Sequence, residues 1–357
     1  MDYNSNIRYM KKYKISFIIC PNGFGHFVRC LNIIGLILEK KDYDINVFCQ
    51  SWQRDLFNYK KIIHHKNISW CLDYMEPGVS WPLDFKIKNI NKWFKKIEYT
   101  LSSSDLIVSD NLSAPLIKFS NVVLMGSFLW SDVYEYAFPN DKKIIDFILE
   151  ERSLLENKKP EMICIEDIAM DNVIKLTNPI LVPWMFENKN IKKNKRSSGI
   201  INVAFLPGRK NIHKSFSRII LELLKNRKIS LYLPHYLSNM TIIPKSKIIK
   251  HFNYSLEDFN KLDIIIGRPG IGLITDCLKS NIFLISVYEQ NNIEMIHNAD
   301  VIAKKKWGID LKGDYSFENI IDKIKKINSF NKNQFNNVVF GGRKKTYNFL
   351  VDKVENM

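Results

Sequence analysis

The chain has 357 residues, more than a single hydrophobic core usually organises, so two domains are expected. Its 46% hydrophobic and 25% charged residues exclude a disordered chain, and no apolar run approaches the roughly 20 residues of a membrane-spanning helix. The net charge of +16 comes from lysines spread over many segments among isoleucine and asparagine. That is a solvated basic surface with some attraction for phosphates, and no nucleic-acid partner is expected.

The first apolar run, 15–20, ends at Pro21 and is too short for a signal-peptide core. It reads as a strand, followed by further strands at 45–49, 68–72, 106–108 and 122–125 and helices at 27–39, 90–101 and 144–155. The stretch 186–199 is polar, basic and aperiodic, and reads as an interdomain linker. A second alternation follows, with strands at 201–205, 229–233, 247–249, 263–266 and 282–286. Its helices read at 214–224, 256–262, 271–280, 293–305 and 317–327. A last helical segment after Gly341 and Gly342 carries Tyr347, Leu350, Val351 and Val354 on one face. Short β-rich runs alternating with helical periods define an α/β chain with two doubly wound, Rossmann-like domains facing a central cleft. The six cysteines stand apart, with neither CxxC nor zinc-ligand spacing, which fits a reduced cytoplasmic protein with no structural metal.

Ligands of such sheets bind beyond the carboxyl ends of the strands, so the loops after strands carry the chemistry. The first is Pro21-Asn22-Gly23-Phe24-Gly25-His26. Gly23 and Gly25 let the backbone turn tightly toward a ligand, and His26 stands at the following helix start as a candidate general base. A structural turn histidine is the alternative. The third glycine of the dinucleotide fingerprint is missing and no acidic residue clearly ends the second strand, which disfavours a dehydrogenase. After the strand at 106–108, Asp110 is placed to orient a catalytic group or accept from a sugar hydroxyl, or else to cap a helix. After 201–205 come Gly208 and Arg209, a glycine turn beside a cation that suits a pyrophosphate. The GxxxxGKS/T pattern of an ATPase is absent. The fourth loop, 267–276, reads GRPGIGLITD and forms a second anion-binding helix end with Arg268, Gly270 and Gly272. Asp276 lies where its carboxylate can accept from ribose hydroxyls. Glu289, Gln290, Glu294 and Asn298, after the next strand, suit the hydroxyls of a sugar.

These residues resemble the GT-B glycosyltransferases, in particular the lipid-linked peptidoglycan N-acetylglucosaminyltransferase family. There an N-terminal glycine loop ends in a histidine, as Gly23 to His26 does, and an SRSGAxTxxE-type segment corresponds to 267–276. The resemblance places Asp276 at the ribose-binding position, Glu294 near a sugar-contacting glutamine, and the main chain of Phe252 facing the uracil. The chain departs from that family in its GFGH loop, in Pro269 and Gly272, and in glutamate at 294, so peptidoglycan synthesis is not implied. The pattern GxGHxxRxL (Gly23, Gly25, His26, Arg29 and Leu31) also resembles a nucleotide-sugar hydrolase of the same fold.

The resemblance implies a metal-independent, inverting glycosyltransferase with a UDP-linked donor as substrate, no cofactor, and a glycan, lipid-linked or small-molecule acceptor. A hydrolase or epimerase of that fold, and a non-catalytic sugar-nucleotide module, stay open. The only DxD spacing, Asp42-Tyr43-Asp44, precedes a strand and so lies at the wrong sheet edge for donor chemistry. The expected divisions are 1–178, a linker at 179–199, 200–338 for nucleotide-sugar binding, and a helix within 339–357 that packs back on the first domain. Basic and aromatic residues interleave over 81–99, including Trp81, Phe85, Trp93 and Phe94. They suit either peripheral contact with the inner face of the membrane, in cell-surface glycan synthesis, or an amphipathic helix packing inward.

Overall fold

A computed structural model describes residues 12–75, 87–186, 200–208, 219–221, 223–226, 228–238, 249–326 and 332–357. Arg209, Trp81 and Phe85, the linker residues 187–199 and most of the helix expected at 214–224 lie outside the described residues.

The first sheet holds β1 (Lys14–Ile18), β2 (Asp44–Cys49), β3 (Ile68–Leu72), β4 (Leu106–Asp110), β5 (Val122–Met125), β6 (Glu161–Ile165) and β7 (Asn178–Val182). Their order is β3-β2-β1-β4-β5-β6-β7, and every pairing is parallel. Around it run α1 (Phe24–Lys40), α2 (Ser51–Asp55), α3 (Ile87–Ser102), α4 (Trp130–Ala137), α5 (Lys142–Lys158) and α6 (Asp171–Leu176). The second sheet holds β8 (Ile201–Leu206), β9 (Ile229–Pro234), β10 (Ile249–Phe252), β11 (Ile264–Gly267), β12 (Phe283–Ser286) and β13 (Gly308–Asp310). Its order is β10-β9-β8-β11-β12-β13, again parallel throughout. Its helices include α7 (Leu256–Lys261), α8 (Ile271–Ser280), α9 (Ile293–Lys304) and α10 (Phe317–Lys326), and the chain closes with α11 (Gly342–Glu355).

Central strands covered on both faces need apolar side chains in both directions. Accordingly Ile15, Phe17 and Ile18 in β1, and Ile264, Ile265 and Ile266 in β11, are fully buried. Helix α1 buries Phe27, Cys30, Leu31, Ile34 and Ile37, a stripe of helical period that lies on the sheet. One apolar core runs through both domains, joining Ile15 and Phe27 of the first to Ile265 and Ile274 of the second. All six cysteines are free, and five are buried.

The first sheet is longer than the sequence reading anticipates. β6, β7 and α4 are additional, and β7 runs from the boundary expected at 178 through Val182 into the supposed linker. Pro179 cannot donate to a ladder, and β7 is accordingly an edge strand. After Val182 the chain meets its own C-terminal part. Trp184 and Phe340 form an isolated parallel bridge, supported by Trp184 N donating to Val339 O (3.2 Å) and Gly341 N to Phe186 O (3.0 Å). Gly342 is required there, because a Cβ at that position would lie 1.9 Å from Pro183 O. Helix α11 then packs on α1 and β7, with Tyr347, Leu350, Val351 and Val354 buried. Lys41 Nζ to Glu355 Oε1 (2.5 Å) and Lys353 Nζ to Glu161 Oε2 (2.5 Å) tie it to the first domain.

Of the basic, aromatic segment expected at a membrane, Trp93, Phe94 and Ile97 are buried beside Tyr74 and Phe119, while Lys95, Lys96 and Tyr99 face solvent. The described part of 81–99 is thus an inward-packing helix, one of the two readings that its pattern suits, with Trp93 and Phe94 in the core. No helix among the described residues is long and apolar enough to cross a membrane.

Candidate active site

The β1–α1 loop is shaped by Gly23, whose φ of +124° suits glycine alone, and by Gln53. The Gln53 side chain is fully buried and its amide donates to both Cys20 O (3.0 Å) and Gly23 O (3.0 Å), pinning the loop from beneath. His26 lies in the first turn of α1, and its Nδ1 sits 3.0 Å from Asp110 Oδ2. Asp110 ends β4, the neighbour of β1, so sheet order brings together residues 84 positions apart. Its other oxygen accepts from Arg29 Nη2, which also reaches Asn111 Oδ1 (3.3 Å).

Burial alone would raise the Asp110 carboxyl, but Arg29 and His26 hold it below its ordinary value, so it stays ionised. An ionised acceptor at Nδ1 places the ring hydrogen there and leaves Nε2 with its lone pair free to take a proton. Asn111 is in the left-handed region (φ 55°), and its amide donates to Phe128 O (2.8 Å). Its side chain fits only because residue 126 is glycine, since a Cβ there would lie 2.3 Å from Asn111 Oδ1.

The second domain presents its own glycine loop directly opposite. A Cβ on Gly272 would meet Gly25 Cα at 3.7 Å, so the starts of α1 and α8 approach closely across the cleft. Both helix ends carry unpaired N–H groups and a positive dipole end. A Cβ on Gly208 (φ +89°) would lie 3.4 Å from Arg268 Cδ, so the loop after β8 and the Arg268 loop adjoin. Gly270 opens on free space. Arg268 Nε donates to Glu289 Oε2 (3.0 Å), and Gln290 Nε2 to the Tyr315 hydroxyl (2.9 Å).

Glu294, in the first turn of α9, faces the first domain's cluster. Burial raises its carboxyl, opposed by the positive charge of Arg268, His26 and Arg29. Asp276 is pushed up to about 6 by burial, with Lys279 and, from the first domain, Lys60 pulling it back. It therefore stands on the interdomain face. Asn298 behaves differently from the sequence expectation. It is buried and its amide donates to Pro269 O (2.9 Å), so it braces the Arg268 loop from behind. Phe252 ends edge strand β10 with its ring buried against Phe259 and Tyr254. Gln53 and Arg29, the partner of Asp110, are absent from the sequence-derived site. Arg29 stands in the GxGHxxRxL pattern, whereas Gln53 carries no local signal.

Among the described residues no group of three or more His, Cys, Asp or Glu is placed to hold a metal ion. Asp42 and Asp44 of the DxD spacing both pair with Lys12 at the start of β2, away from the cleft.

Two all-parallel Rossmann-like domains with facing helix starts constitute the GT-B fold. Solved structures bear this out over the whole chain. The glycotransferase of kitacinnamycin superposes with a TM-score of 0.71 at 10% identity, covering 96% of this chain and 100% of that one. UGT89C1 of Arabidopsis thaliana, complexed with quercetin, gives 0.70 at 11% identity over 96% and 100%. A UDP-glucose: anthocyanidin 3-O-glucosyltransferase in complex with UDP gives 0.67 at 12% identity over 97% and 100%. At such identities the likeness is one of fold. More particularly, residues 224–341 match the glycosyltransferase family 28 C-terminal domain. No curated protein matches the chain by sequence.

Proposed function

We propose that this chain is an inverting, metal-independent glycosyltransferase that moves a sugar from a UDP-linked donor to an acceptor hydroxyl. One observation carries the reading: His26, held by ionised Asp110, stands at a helix start that abuts the glycine loop of a family 28 domain. The acceptor oxygen forms its bond to the anomeric carbon while its proton passes to His26 Nε2. The bond from that carbon to the diphosphate oxygen breaks, and the nucleoside diphosphate leaves with the electron pair. The α8 helix end and Arg268 oppose the negative charge that develops on it. Asp110 fixes the ring and offsets the imidazolium that forms. Gly23, Gly25, Gly208, Gly270 and Gly272 let backbone approach the donor. Asp276 is assigned to the ribose, the Phe252 main chain to the base, and Glu289, Gln290 and Glu294 to the sugar. Neighbouring structures in complex with UDP and with UDP-L-rhamnose support the choice of nucleotide.

The test is incubation with UDP-glucose, UDP-N-acetylglucosamine and UDP-rhamnose, with and without hydroxyl acceptors such as flavonoids and lipid-linked sugars. UDP release that depends on an acceptor, with an inverted glycosidic product, is expected. UDP release at full rate without acceptor would identify a hydrolase, and binding without turnover a module.

A further inference from the structure

His26 and Arg29 stand one turn apart on α1, so a single helix face presents both to Asp110. His26 Nδ1 lies 3.0 Å from Asp110 Oδ2, and Arg29 Nη2 donates to Oδ1 of the same carboxylate. That guanidinium nitrogen also comes within 3.4 Å of His26 Nδ1. Because Nδ1 carries the ring hydrogen, the approach is no hydrogen bond and sets a cation against the imidazole. The Asp110 side chain is fully buried and that of Arg29 is 9% exposed, so water and salt screen little of the interaction. Arg29 Nε is buried without a hydrogen-bond partner among the described residues, while Nη2 serves both Asp110 and Asn111 Oδ1 (3.3 Å). A guanidinium engaged in this way contributes its charge more than its two-pronged fork.

The charge has a consequence for the ring. Without Arg29, the buried Asp110 carboxylate would be left with His26 as its cationic partner and would draw a proton onto the imidazole. An imidazolium has no lone pair at Nε2 to offer an acceptor hydroxyl. With Arg29 in place the carboxylate is already matched, and a proton on His26 would leave the buried cluster with net positive charge. The positive dipole end of α1 acts in the same sense. Of the cluster's other titratable groups, the Cys20 and Cys30 thiols are pushed up by burial and stay neutral. Glu294 faces it from α9 of the second domain, with Arg268 as a counter-charge. The Phe128 ring, edge-on to His26 at 6.5 Å, adds no charge.

We propose that Arg29 is a positioning residue for the base: it takes up the charge of Asp110, so that His26 keeps Nε2 unprotonated until the acceptor proton arrives. This rests on His26 acting as the general base of the reaction proposed above.

NMR of the isotope-labelled full chain follows the His26 ring through a pH titration with no substrate present, its signal identified by loss in His26→Ala. Turnover with a UDP-sugar and acceptor is read over the same pH range. In Arg29→Gln the His26 midpoint should rise by about one to three pH units, the scale set by a neighbouring charge. The acid limb of turnover should move up with it, while the alkaline plateau is kept. Arg29→Lys keeps the charge, and should hold the midpoint close to the wild-type value and restore turnover at neutral pH. A midpoint that does not rise in folded Arg29→Gln overturns the proposal, as does turnover lowered equally at every pH, the mark of a purely structural contact. Should Arg29→Gln fail to fold, Arg29→Lys decides, and a displaced midpoint or a pH-independent loss of turnover in it is the refuting result. If no UDP-sugar is turned over, the ring titration still gives its answer, so failure of the transferase reading and failure of this one are told apart.

Discussion

Replacing Asp276 with asparagine should strengthen the unliganded fold and weaken nucleotide binding together. Burial pushes this carboxyl up to about 6 from its ordinary 3.8, despite Lys279 and Lys60. Between those two values the unfolded chain has released its proton while the folded chain still holds it. Stability therefore falls as pH rises through that window, and the full penalty is present above pH 6. Two pH units at about 1.4 kcal/mol each give about 3 kcal/mol, reduced to about 2 kcal/mol by partial solvent access. The variant keeps the shape of the side chain and removes the ionisation. It should match the wild type at pH 4 and exceed it by about 2 kcal/mol at pH 8 in urea unfolding. If the carboxylate accepts from ribose hydroxyls, calorimetry at pH 8 should show UDP bound about 10- to 100-fold more weakly, the scale of a hydrogen bond to a charged group. A variant less stable than wild type at pH 8 would show that attraction to Lys60 outweighs desolvation. A variant that binds UDP normally would refute the ribose assignment.

Three further outcomes follow from the first domain's cluster. His26→Ala should lower turnover by about 100- to 10,000-fold while UDP affinity and melting temperature hold, because a general base acts in the transition state. Lost stability with activity tracking the folded fraction would mark a structural histidine instead. Asp110→Asn leaves the Arg29 guanidinium buried without its counter-ion and should cost about 3 kcal/mol in urea unfolding, with turnover falling as the His26 ring loses its orientation. Gly126→Ala drives a methyl group into Asn111 and should cost about 1–3 kcal/mol, read as a lowered urea midpoint at unchanged slope.

The strands of both sheets are legible because parallel strands covered on both faces are largely apolar, as Ile15, Phe17 and Ile18 of β1 and the three isoleucines of β11 are. β7 hides behind its opening Asn-Pro, which reads as a turn, and α4 has only eight residues, too few for its stripe of Trp130, Val133 and Tyr134 to stand out. The glycine loops and His26 are legible because special backbone geometry and chemistry leave local marks. Arg29 and Gln53 are different. What each does depends on a partner carried by another strand or loop, Asp110 for one and the Gly23 carbonyl for the other, and such partners are set by sheet order. Asn298 shows the same limit from the other side. A polar residue near a cleft looks like a ligand contact, but its amide is spent on the Pro269 carbonyl.

The Trp184–Phe340 bridge has a mechanical consequence. Because α11 returns to the first domain, the polypeptide passes between the domains twice, and the two passages run side by side where Phe186 and Phe340 touch ring to ring at 4.2 Å. A single tether can twist as easily as it bends, whereas two adjacent tethers behave as a leaf flexure, compliant about one axis and stiff to torsion. A twist of one domain against the other about this bridge would have to break that ring contact and the hydrogen bonds of Trp184 and Gly341 beside it.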